Sequence, residues 1–189
     1  MFRRERGVVY GVMNDFDLGQ ISDVEREGYK GERTGTRLFM SISLHLEEGQ
    51  TQIPKHIERF DLESVFYVMF WEGRLSNNGE LYATKDAEDA GRKWNGKDDE
   101  SLISDKGRIL WVIKPYHLNE SYRPLLRQWL KPLGKMFDKG YYELDNFRKI
   151  CTSDDPNPSV PVDWEIPGFD YDTLGGNVIF ENIWDIIKN

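Results

Sequence analysis

From Val65 to Trp71 no residue carries a charge, and this stretch constrains the chain more than any other. It lies inside "DLESVFYVMFWEG", where Asp61 can N-cap a helix, Glu63 sits in the first turn and Gly73 suits the end. Val, Phe and Tyr also favour strands, but the capping signals and the length predict a helix over 61–72. A helix that is apolar all round belongs in the middle of a core. The rest of the chain must therefore be wrapped around it, and 189 residues suffice for one domain to do so.

The other elements are read as helices, with one exception. Residues 8–13, "VVYGVM", are β-rich and interrupted by Gly11; they predict one strand, or two short ones in a hairpin, ending at Asp15. Residues 17–37 are polar and contain four glycines, which is long for a simple turn. Weaker helical patterns cover 84–95, with Thr84 a candidate cap, and 98–113. Tyr122, Leu125, Leu126, Trp129, Leu130, Leu133 and Phe137 fall at helical spacing, with Pro124 in the first turn and Pro132 predicting a kink or break. Tyr141, Leu144, Phe147 and Ile150 repeat the pattern in a shorter helix. Four prolines mark 154–168 as a loop, and Phe180, Ile183, Trp184 and Ile187 mark a C-terminal amphipathic helix. The expected class is mainly α with a small β element at the N-terminus, in two parts: 1–150, and 151–189 as Pro-rich loop and final helix.

Composition narrows the partners. The net charge of −8 without a basic stripe argues against nucleic acid. No apolar run approaches the roughly 20 residues of a membrane span, so no membrane partner is expected. Cys151 is the only cysteine, which rules out an internal disulfide and suits an intracellular, reducing setting, cytoplasmic or nuclear. The N-terminal "MFRRERGVVYGV" runs into "NDFD" rather than into small residues at a cleavage point, so no signal peptide is expected. His45, His56 and His117 lack metal-ligand spacing and read as surface or satisfied histidines.

The chemistry-bearing stretch is "GVMNDFDLGQ", in which Asp15 and Asp17 flank Phe16 just after the apolar run. Two carboxylates there can hold a metal, supply a nucleophile or cap a turn. One enzyme reading is a haloacid-dehalogenase-type phosphatase, with Asp15 as nucleophile, Asp17 as acid, and Lys149 and the pair Asp154 and Asp155 in the later roles. Leu18 replaces the usual Thr or Val of that motif, and the alternating strands of a parallel sheet are missing from the pattern.

Two stretches downstream of Asp15 favour another reading. "ERTGTRLFMS" occupies 32–41 and "HIERFDLESVFYVMFW" occupies 56–71. The order Asp-Phe-Asp, Arg-Thr-Gly-Thr, then Asp opening an apolar helix resembles the C-terminal lobe of protein kinases, most closely the fungal-type protein kinase family. The resemblance covers 7 to about 72, and more loosely to about 113. It implies an incomplete kinase-like lobe whose family transfers the ATP γ-phosphate to Ser or Thr of a protein substrate. By that resemblance Asp15 is the magnesium ligand at the ATP phosphates, with Phe16 packed behind it. Residues 15–43 are then the activation segment. Thr34, Gly35 and Thr36 fall at its substrate-facing part, and Asp61 is the structural anchor that accepts backbone N–H bonds from the catalytic loop.

Departures from the family pattern carry their own implications. Asp17 stands where most kinases have Gly, a departure the fungal-type family shares. Ser41-Ile42-Ser43 replaces Ala-Pro-Glu, so the acid that normally pairs with a buried Arg is lost or replaced. Phe60 stands where the family usually has His. Fourteen residues precede Asp15, and they contain no His-Arg-Asp loop, metal-binding Asn, glycine-rich loop or phosphate-gripping Lys. One metal ligand without a catalytic base implies no turnover by the chain alone, whether as a truncated kinase or as a non-catalytic, pseudokinase-like scaffold for a partner protein.

Overall fold

A computed structural model describes residues 2–5, 8–11, 37–45, 57–77, 80–81, 92–94, 96–152 and 168–188. They fall into two compact units, residues 1–34 and 35–189. In the first unit β1 (Phe2–Glu5) pairs antiparallel with β2 (Val8–Gly11), Phe2 opposite Gly11 and Glu5 opposite Val8. The "VVY" of β2 supplies the β-branched and aromatic residues that suit a pleated strand.

The second unit is mainly helical. Its long first helix, α1 (Glu58–Leu75), runs into a two-residue antiparallel pair, β3 (Ser76–Asn77) with β4 (Glu80–Leu81). Then come α2 (Asp99–Trp111), the single turn α3 (Arg123–Leu125), α4 (Lys131–Thr152) and α5 (Phe180–Lys188). Asp98 caps α2, its carboxylate accepting from the Ser101 N–H at 2.7 Å, which satisfies one of the orphan donors of a helix start. Leu102 and Leu110 of α2, Leu133, Phe137 and Leu144 of α4, and Phe66 and Phe70 of α1 share one core. Tyr171, Leu174, Val178 and Ile183 belong to that core as well, and α4 runs through the compositional boundary at 150.

Helix α1 departs from expectation in three ways. It begins a turn before Asp61: Ile57 holds the N-cap position in extended conformation with no side-chain cap, and Asp61 is an exposed residue within the helix. Nor is it buried all round. Phe60, Phe66, Tyr67, Phe70 and Trp71 are buried, but Val65 and Val68 are 49% and 46% exposed on a face shared with Asp61 and Glu72. The absence of charge hid a helical period that runs through apolar residues on both faces. Gly73 lies inside the helix, where a Cβ would stand 3.1 Å from Leu118 Cδ2 and 3.4 Å from Tyr122 Cβ. Its role is close approach. Asn119 closes this helix end, donating its backbone N–H to Gly73 O at 2.8 Å and Nδ2 to the carbonyls of Arg74 at 3.0 Å and Ser76 at 2.6 Å.

Pro132 lies in the first turn of α4, which continues from Lys131 to Thr152 and so joins Leu133 and Phe137 to the stretch from Tyr141 to Ile150 in one helix. Leu126–Leu130 form a π-helical turn directly before it. That wider turn displaces the hydrogen-bond ladder where the proline lacks its donor. Two glycines set the packing of α4. A Cβ on Gly134 would lie 2.6 Å from Leu110 O, and one on Gly140 would lie 2.8 Å from Leu174 Cβ. Leu174 is fully buried and takes a left-handed φ of 51° ahead of Gly175 and Gly176.

Candidate functional site

Of the residues singled out for chemistry, Asp15, Phe16, Asp17, Thr34, Gly35 and Thr36 lie outside the described residues, as do Asp154 and Asp155. Asp61 is described on the exposed face of α1. Lys149 pairs with Asp145 at 2.5 Å along α4. Among the described residues no group of three or more His, Cys, Asp or Glu side chains converges as a metal ion would need. No helix there is long and apolar enough to cross a membrane.

The end of the expected activation segment is described, from Arg37 to His45, and it is fastened at every turn. Ile42–Leu44 form one 3-10 turn. Beneath it Glu63 of α1, fully buried, accepts four hydrogen bonds. Ser41 Oγ donates to Oε2 at 2.5 Å and the Ile42 N–H to Oε1 at 3.0 Å. The hydroxyls of Tyr141 and Tyr67 donate at 2.6 and 3.1 Å. Burial first, and the Glu63 carboxylate second, push both phenols above their ordinary value, so both remain donors. A buried carboxylate is tolerable only when its lone pairs are met in this way.

Arg59 brings the balancing charge one helical turn earlier. Its Nη1 donates to Tyr141 Oη at 3.2 Å and Ser43 Oγ at 3.3 Å. Its guanidinium lies 4.8 Å from the Phe60 ring centre and 4.7 Å from that of Tyr171. Burial works against this charge, yet the surroundings, Tyr141 and Tyr171 ahead of Glu63, outweigh it and hold the guanidinium above its ordinary value. A second cation, Lys106 of α2, is fully buried and donates to Leu38 O at 3.1 Å and Met40 O at 2.5 Å. Its Nζ stands 4.0 Å above the Tyr67 ring. Burial pushes the Lys106 ammonium down to about 7, with Glu63 opposing and Arg37 adding to the fall.

At the segment's start Arg37 donates to Lys97 O at 3.0 Å and to Asp99 Oδ1 at 2.5 Å. His45, buried at its other end, places Nδ1 3.3 Å from the same carboxylate oxygen, while its Nε2 is buried without a hydrogen-bond partner among the described residues. Arg59 Nε and Nη2 are likewise enclosed without a hydrogen-bond acceptor among the described residues; the other groups named here are engaged. The arrangement holds a backbone in place and offers no open face to a reacting molecule.

The sequence leaves open whether the acid missing from Ser41-Ile42-Ser43 is lost or replaced. Among the described residues, Glu63 of α1 is the buried acid against this turn and Arg59 the buried cation beside it. The available signal is the spacing of Arg59, Glu63 and Tyr67, each four residues from the last, which stacks them on one helix face. Taking Asp61 and Glu63 as helix-start acids obscures it. Lys106 and Tyr141 give no local sign, since each acts across more than 60 residues.

Residues 3–72 match the family model described as fungal protein kinase, which supports reading this stretch as a fragment of that family. The match takes in the Asp-Phe-Asp, Arg-Thr-Gly-Thr and Asp-Leu-Glu motifs together with Ser41, Arg59, Glu63 and Tyr67. No curated protein and no solved structure matches the chain.

Proposed function

We propose that this chain carries part of the C-terminal lobe of a fungal-type protein kinase, with α1 as its central helix and residues 15–43 as its activation segment. The observation that carries the reading is the docking of Ser41-Ile42-Ser43 onto Glu63 and Arg59. An activation segment must have a fixed far end if its middle is to position a protein hydroxyl, because phosphoryl transfer depends on positioning and charge neutralisation. Thr34, Gly35 and Thr36 immediately precede that fixed end. In this reading Asp15 holds magnesium at the ATP phosphates and Phe16 directs its carboxylate. When bound, ATP and magnesium supply the transferred group and the neutralising charge. Asp61 belongs to the same machinery as the acceptor of catalytic-loop N–H groups. The setting is intracellular and the partner is a protein.

These 189 residues provide one metal ligand and no catalytic base, so by themselves they act as a scaffold without turnover. The test uses the purified chain with radiolabelled ATP, magnesium and a generic protein acceptor. We expect no transfer above that of the Asp15→Asn variant. Transfer that depends on Asp15 would overturn the assignment of essential parts. Covalent labelling of Asp15 by beryllium fluoride would overturn the kinase reading altogether, because it marks a phosphatase nucleophile.

A further inference from the structure

The C-terminal ends of α1 and α2 enclose a cleft of about 730 Å³ whose lining shares Lys97 with the contacts that hold residues 37–45. Its apolar wall is aromatic. Trp71 and Trp94 meet edge to face at 5.0 Å, and the Trp71 indole N–H has no acceptor among the described residues. Trp111 and Tyr116 extend this wall outward and are 74% and 76% exposed. Two of the largest apolar side chains of the molecule thus stand in solvent beside an open cleft. Trp and Tyr in that position are typical of protein recognition hot spots.

Among the described residues the charge around this wall is mainly positive. Arg74, Lys93 and Lys114 line the cleft beside His117, and among the described residues none of them is paired with a carboxylate. Asp105 is the one acid among the described lining residues, and Lys97 and Arg108 already claim its two oxygens. Arg74 lies 5.8 Å from the Trp71 ring centre. His117 is held below its ordinary value, first by burial and then by the charges of Arg74, Arg108 and Lys114. A basic cleft on a chain of net charge −8 is a local exception to the surface, not a consequence of composition.

We propose that this cleft is a docking site for an acidic peptide segment of a partner protein, one that inserts an apolar or aromatic side chain between Trp111 and Tyr116. Carboxylates on either side of that anchor would meet Arg74, Lys93 and Lys114. A small anion could fill the floor but would leave the Trp111 and Tyr116 shelf uncovered, whereas an extended peptide covers both. A nucleic acid would share the cations and the stacking faces, but its long phosphate chain would run onto the acidic remainder of the surface. The site stands apart from the kinase reading, since most of its lining lies beyond residue 72.

Fluorescence polarisation tests this with the full chain and a labelled peptide of alternating Glu and Asp around a central Trp-Leu pair. A twin with Lys for each acid, single-stranded oligo-dT and inorganic tripolyphosphate serve as competitors. Saturable binding of the acidic peptide is expected, weakening from about 50 to about 300 mM salt as screening grows. Lys93→Glu with Lys114→Glu should weaken it by roughly tenfold or more, with the melting curve unchanged because both side chains are exposed. Trp111→Ala should weaken it without altering its salt dependence. Three results would overturn the proposal: no saturable binding, binding indifferent to those variants while they remain folded, or oligo-dT or tripolyphosphate outcompeting the peptide.

Discussion

Glu63 decides how firmly Ser41 and Ile42 are held. It alone gathers donors from the segment, from its own helix and from α4. Glu63→Ala would strand those buried donors, at about 1–3 kcal/mol for each group left unsatisfied, and would remove a carboxylate that favours the Arg59 charge. Glu63→Gln keeps the shape and two lone pairs, so its loss in urea unfolding should be smaller than that of Ala. Lys106 predicts a pH dependence of definite sign. Its ammonium titrates near 7 in the folded chain and near 10.5 when unfolded, so the unfolded chain binds more protons between those values. Stability should therefore rise from about pH 7 toward pH 10, by at most ~1.4 kcal/mol per pH unit. The penalty is present in full below that window. Urea midpoints across the range should show the rise in the native sequence and lose it in Lys106→Met.

At the scale of the elements, two helical glycines of similar appearance should respond in opposite directions. Gly107 in α2 has open space where a Cβ would go, so Gly107→Ala should stabilise by about 0.5–1 kcal/mol through helix propensity. Gly134 in α4 has the Leu110 carbonyl there, a backbone atom that cannot swing aside, so Gly134→Ala should destabilise by about 1–3 kcal/mol. Thermal melts of the two variants read both signs. The same contrast between local and distant neighbours explains what the sequence could disclose. Period located α2, the stretch through Leu126, Leu130, Leu133 and Phe137, and the final helix, because that signal is local. The start of α1 escaped because Ile57 leaves no capping signature. The continuity through Pro132 escaped because a π-helical turn is an accommodation by neighbours. The family resemblance was legible in the motifs of 3–72, but the fastening of residues 37–45 was not, since Tyr141 and Lys106 reach it from distant positions.

For the whole molecule, four of the buried core residues lie past residue 168. Residues 35–189 form a compact unit of their own, so a chain lacking 1–34 should keep a cooperative melt by circular dichroism. A chain ending at Thr152 would strip Leu174, Val178 and Ile183 from the core and should lose that single transition. Leu174 gives this tail its hold. A left-handed backbone costs a side-chain-bearing residue roughly 1–2 kcal/mol, against about 1.5–3 kcal/mol for burying Leu, so burial prevails by a narrow margin. Glycine there would relax the backbone but vacate the notch above Gly140, and alanine at 140 would fill the notch but evict Leu174. Neither position improves by a single substitution, so the pair forms a small ridge in sequence space that evolutionary drift can cross only by changing both at once.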